Sequence, residues 1–195
     1  MAPNLRMVFV FLFSYIEGLP LLGSIFPGGT ISLLIGVLSQ DGFIKPLNAI
    51  LITMTGGFLG DITGFFIGRK LKHLSFVKKI IHNEKHQRKW EVFDRQIIII
   101  SILGRLIPLV RSIPSIFAGA RNNISVTKYL ILSLVGSAIW AASGVYGGII
   151  LSLFTGRFAI PIILGILVVS VIATLIVNYK DQIKKHVNVY TDFKK

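Results

Sequence analysis

Between Ile97 and Asn123 the chain reads IIIISILGRLIPLVRSIPSIFAGARNN, an apolar run in which Arg105, Pro108, Arg111 and Pro114 follow at intervals of three. An arginine at the centre of a bilayer costs about 2.5–3.5 kcal/mol on the insertion scale, so two of them need a physical reason. Each proline removes a backbone donor and crowds the preceding turn, which does not suit a straight spanning helix. Irregular backbone persists at membrane depth only where protein buries it or a wet cavity lines it. The expectation is a re-entrant loop that presents the guanidinium groups of Arg105 and Arg111 to a membrane-embedded anion site.

The composition fits that setting. Of the 195 residues, 53% are hydrophobic and 15% charged, with a mean hydropathy of +0.74. A soluble domain carries about 25% charged residues, so the chain reads as a single polytopic, all-α membrane domain. Cysteine is absent, which excludes disulfides and thiolate metal sites. The net charge of +13 could suggest nucleic acid, but nine of the 21 basic residues lie between Arg69 and Arg95 and five from Lys180 to Lys195. Basic blocks flanking apolar segments follow the positive-inside bias of cytoplasmic loops and favour anionic lipid over nucleic acid.

Taken in order, the segment up to Ile16 is apolar after Arg6 but too short to cross a bilayer. Glu17-Gly-Leu-Pro20 follows without an A-x-A-like cleavage site, so the segment is expected to stay in the mature protein. Leu19 to Leu38 is apolar but broken at Pro20, Pro27, Gly28 and Gly29, which predicts a first re-entrant hairpin. After a polar turn around Asp41 and Pro46, residues 47–68 read as a full spanning helix. Gly56, Gly60, Gly64 and Gly68 recur on one face of it, a small-residue seam for close helix approach, with Asp61 one position round. Residues 70–95 read as an amphipathic cytoplasmic helix on the headgroups. Residues 124–154 contain a spanning helix dotted with Gly136, Gly144, Gly147 and Gly148, in which Trp140 packs inside. Residues 158–179 form a last span before a basic tail, 180–195.

A topological count supports the re-entrant reading. If both basic blocks are cytoplasmic, an even number of crossings separates Arg95 from Lys180, and a fully spanning helix over 97–120 would make that number odd. The order of Pro-broken segment, turn and glycine-dotted helix occurs twice, at about 5–69 and 96–155. Paired interrupted segments of this kind point to inverted repeats with a site at their interface.

Two of the eight acidic residues, Glu17 and Asp61, fall inside apolar stretches. Intramembrane carboxyls are candidates for proton relays or ion pairs, and arginine suits bidentate capture of phosphate. Arg105 and Arg111 are therefore the expected phosphate-binding residues, with Glu17 and Asp61 pairing with them or carrying protons. The alternative is two buried ion pairs that only fix the fold, which would be poor stabilisers.

At this point the chain resembles the DedA membrane proteins, also called the SNARE-associated or VTT-domain family. The likeness spans roughly Glu17 to Trp140 and rests on these elements: Glu17-Gly-Leu-Pro20 with Phe26-Pro27-Gly28; Gly60-Asp61-Ile-Thr-Gly64-Phe-Phe-Ile-Gly68-Arg69; Gly104-Arg105-Leu-Ile-Pro108-Leu-Val-Arg111-Ser-Ile-Pro114 with Ala118-Gly119; Tyr129; and Gly136-Ser-Ala-Ile-Trp140. The resemblance implies two facing re-entrant hairpins among spanning helices. It also implies transport of phosphate-bearing lipids, by recycling of the undecaprenyl phosphate carrier or by phospholipid scrambling. Glu17 matches the family's membrane-embedded glutamate, and Arg105 and Arg111 match its two arginines. The second acidic position, after the Pro-Gly, is Gly29 here, so proton coupling would need Asp61 in its place.

The leading expectation is a flippase or scramblase of the cytoplasmic membrane, with an anionic or polyprenyl-phosphate lipid as partner, no cofactor or metal, and homo-oligomerisation left open. The alternatives are a small-ion or proton exchanger and, more remotely, a lipid phosphatase. The phosphatase would need a histidine nucleophile or a metal, yet His73, His82, His86 and His186 all lie in the basic segments.

Overall fold

The computed structural model describes residues 3–20, 29–73, 92, 95–103, 113–121, 124–169 and 171–172. Its elements, in order, are α1 (Pro3–Gly18), α2 (Thr30–Gln40), α3 (Pro46–Leu71), α4 (Ile97–Leu103), α5 (Ile113–Arg121) and α6 (Val126–Thr155). A 3-10 turn at Gly156–Phe158 and α7 (Ala159–Val169) follow. Among the described residues there are no strands. Most of the predicted cytoplasmic amphipathic helix (70–95) and the end of the last predicted span fall outside them, and Lys70 and Leu71 continue α3.

Local chemistry sets the helix ends. Pro46 occupies the first turn of α3, where its missing N–H leaves nothing unsatisfied, and Arg69 and Lys70 sit in the last turn, facing the negative end of the helix dipole. Ser125 caps α6 by accepting from the Lys128 amide. Pro114 is the second described residue of α5. None of the glycines along α6 interrupts its 30 residues.

Among the described residues, α3 and α6 are the two helices long and apolar enough to cross a membrane. At 1.5 Å per residue, 26 and 30 residues give about 39 and 45 Å, more than the roughly 30 Å hydrocarbon core. Much of their apolar surface points outward, including Leu51, Leu59, Phe66 and Ile67 on α3 and Ile131, Leu134, Val135 and Ile139 on α6. Surface of that extent is a liability in water and the natural exterior in lipid.

α1 runs parallel to α3, because Gly56 faces Ser14 and Tyr15 while Gly60, four residues on, faces Gly18. α2 runs back along α1. At one end the Arg6 Nη1 donates to the Phe43 carbonyl at 3.0 Å; at the other the Gly29 amide donates to Glu17 Oε1. The described helical pair thus comprises Pro3–Gly18 and Thr30–Gln40.

The predicted glycine seam on α3 is real but serves two partners. Gly56 and Gly60 receive α1, while Gly64 receives Pro20 and Ser115, and Gly68 receives the backbone of Ile116. A second crossing has the same chemistry. On α5, Ser115, Ile116 and Gly119 lie against Gly64, Phe65 and Gly68 of α3. On α2, Ser32, Leu33 and Gly36 lie against Gly144, Val145 and Gly148 of α6. In both, a Ser-x-x-x-Gly helix meets a Gly-x-x-x-Gly helix so closely that a Cβ on any of these glycines would collide with the partner. Such contact recovers the dispersion energy that substitutes for a hydrophobic drive inside lipid.

Candidate functional site

Glu17 is in the last turn of α1 and has no exposure. Its Oε1 accepts from the Gly29 amide at 2.7 Å. The C-terminal end of α1 is the wrong end of a helix dipole for a carboxylate, whereas the N-terminal end of α2, which Gly29 caps, is the favourable one. Gly29 holds φ +89°, in the left-handed region that favours glycine, and Ser32 Oγ donates back to its carbonyl at 2.8 Å. The position at which the family resemblance expects a second acid is thus a backbone donor to the first one. Trp140 from α6 lies over Gly57, and its indole nitrogen borders Gly29. As expected, this tryptophan packs inside, at 4% exposure.

Asp61 is buried midway along α3 and accepts from Ser133 Oγ of α6 at 2.8 Å. Ser137 Oγ donates in turn to the Ser133 carbonyl at 2.6 Å. One turn beyond Asp61, Phe65 stacks on Tyr129 with ring centroids 4.4 Å apart. Glu17 and Asp61 lie on either side of the Gly18–Gly60 contact, each with a partner from a different element: α2 for Glu17 and α6 for Asp61.

Of the expected loop residues, Pro20 and Pro114 are buried. Pro20, which follows α1, and Ser115, next to Pro114 on α5, meet over Gly64. The two Pro-containing segments therefore converge on one residue of α3. Pro27, Gly28, Arg105, Pro108 and Arg111 lie outside the described residues, as do His82, His86 and His186. Among the described residues no group of three or more His, Asp or Glu is placed to hold a metal ion.

Sequence reasoning missed Ser133, the partner of Asp61. Its signal was weak: a serine four residues before Ser137 in an apolar helix, both on the side of Trp140. It also missed Ser14 and Thr53, whose hydroxyls are buried with no hydrogen-bond partner among the described residues. Buried hydroxyls left in that state cost about 1–3 kcal/mol each unless water reaches them.

The model of the VTT domain matches residues 26–150. The chain is similar to an uncharacterized membrane protein of Buchnera aphidicola subsp. Acyrthosiphon pisum, at 28% identity over 70% of this chain and 54% of that protein. It is also similar to an uncharacterized membrane protein of Synechocystis sp., at 30% identity over 67% of this chain and 60% of the relative. A third, from Buchnera aphidicola subsp. Schizaphis graminum, is 24% identical over 70% of this chain and 55% of that protein. The chain thus spans between 54% and 60% of the length of these relatives. No solved structure matches it.

Proposed function

The chain belongs to the VTT-domain, or DedA, family of membrane proteins, and from that premise we propose that it is a transporter, not an enzyme, that moves a phosphate-bearing lipid across the membrane. The observation that carries the reading is the convergence of the two Pro-containing segments on Gly64, one turn from buried Asp61 and next to the contact that seats buried Glu17. In this proposal α1 with α2, and α4 with α5, are the arms of two re-entrant hairpins. The similar Ser-x-x-x-Gly crossings support an inverted repeat, since each half's returning arm, α2 or α5, packs on the long helix of the other half.

The phosphate binders are Arg105 and Arg111, of which Arg111 stands four residues before Ser115 in the chain. Bringing a lipid phosphate to paired guanidinium groups compensates the loss of its hydration, while a broken backbone lines the wet cavity it needs. Glu17 and Asp61 carry protons or return as counter-ions when the phosphate leaves. The protein sits in the cell membrane with the 69–95 segment and the C-terminus cytoplasmic.

The test is reconstitution of the purified chain into vesicles holding a fluorescent polyprenyl phosphate, followed by reduction of label on one leaflet. Arg105→Ala and Arg111→Ala are each expected to lower the translocation rate at least tenfold without changing the amount of folded protein. Transport at the parental rate in both variants overturns the assignment. Proton flux without lipid movement would favour the exchanger instead.

A further inference from the structure

We propose that the outer ends of α1 and α3, opposite the basic 69–95 segment, form a fixed binding site for one anionic glycerophospholipid, separate from any transport path. The site has a cationic head and an apolar trough. Arg6 places its guanidinium 5.0 Å from the centre of the Phe43 ring and donates from Nη1 to the Phe43 carbonyl; its Nε is buried without a partner among the described residues. Among the described residues no carboxylate pairs with it. Lys45 is exposed just before Pro46, so the first amides of the 26-residue helix α3 open toward the same region and favour an anion. Asp41, exposed in the same turn, is the one opposing charge in that connection.

Immediately along α1 from Arg6, Met7, Val8 and Phe11 join Ile52 and Thr55 of α3 to line a groove of about 290 Å³ whose walls are almost wholly apolar. Met7, Phe43 and Ile52 pack against the same core, which joins the trough to the residue under the guanidinium. Ile52 and Thr55 lie six and nine residues into α3, about 9 and 14 Å along its axis. A headgroup at Arg6 and Lys45 would therefore lay an acyl chain down the groove at hydrocarbon depth. Surrounding Leu5, Val8, Leu12, Leu47 and Leu51 are exposed and apolar, so this face meets lipid. A zwitterionic lipid brings its own ammonium beside the phosphate, so two cations, Arg6 and Lys45, against the single Asp41 favour a headgroup of net negative charge.

The full chain, purified in mild detergent, is titrated with phosphatidylglycerol and with phosphatidylcholine of the same acyl composition, and bound lipid is counted by native mass spectrometry. The parent is expected to retain phosphatidylglycerol preferentially. Arg6→Gln and Lys45→Gln should each weaken that retention about fivefold, whereas Arg6→Lys should recover most of it. Thr55→Phe, which fills the groove, should weaken both lipids. Thermal melting of each variant separates lost binding from lost folding. Equal retention of the two lipids by the parent, parental retention in the Arg6→Gln, Lys45→Gln double variant, or no recovery with Arg6→Lys, overturns the proposal. Because the readout is retention rather than movement, failure here leaves the transport reading untouched, and failure of transport leaves this site standing.

Discussion

Single side chains decide how this protein tolerates charge in an apolar setting. Asp61 depends on Ser133 across 72 positions of chain, a hydrogen bond at 2.8 Å. Ser133→Ala is expected to lower stability by about 0.5–2 kcal/mol, in line with interhelical hydrogen bonds in membranes, read as a drop in melting temperature in detergent. Gly29 makes a sharper case. Its positive φ and its amide on Glu17 mean that Gly29→Asp would add backbone strain of about 1–2 kcal/mol and a second carboxyl beside the first. Reduced thermal stability relative to Gly29→Asn, which tolerates the same backbone at less electrostatic penalty, is the expected result. Sequence alone could flag Glu17 and Asp61, because an acid in an apolar run is visible on inspection. It could not give their partners, because a backbone amide has no letter and a serine looks the same whether or not an aspartate faces it.

At the scale of helices, close approach is the organising force. Gly68→Ala or Gly119→Ala would push a methyl group into backbone atoms of the facing helix. Overpacking of this kind costs about 1–3 kcal/mol, so either change is expected to lower the melting temperature by several degrees, and Gly42→Ala, with open space around it, to do so only through its positive φ. The chain has no cysteine, which makes engineered thiols clean reporters. Pro20→Cys with Ser115→Cys is expected to link through a short bifunctional thiol reagent, since both side chains touch Gly64; failure to link would remove the convergence on which the proposed function rests. The two long helices were legible because hydropathy and length suffice for them, and the Gly56–Gly68 seam because its spacing is regular. The division of that seam between α1 and α5 was not, since spacing names a face but not the neighbour. The pairing of α1 with α2 was not legible in detail, because a short apolar segment does not show which neighbour it lies against.

For the molecule as a whole, the outward apolar faces and the polarised ends of α3 predict orientation. Thiols at Gly42 and at Lys72, at opposite ends of α3, are expected to react with a membrane-impermeant maleimide from opposite sides of sealed vesicles. A thiol at Ile139, near the midpoint of α6 and on its outer face, should resist it from either side. Labelling of the first two from one side would refute a spanning α3. The polytopic all-helical class was readable from composition, and the family from the Arg-Pro and Gly-Asp motifs. The packing between halves was not, because it depends on pairs of residues far apart in the chain.

That last feature has a bearing on synthesis. α2 settles against α6, which is made only after most of the membrane region has left the ribosome, and α3 waits likewise for α5. The early segments must therefore spend their first moments in the bilayer with glycine-lined flanks open to lipid or to whatever assists insertion. A chain cut between the halves should leave each fragment without the neighbour it is shaped for, and only co-production of both would let them protect one another from degradation.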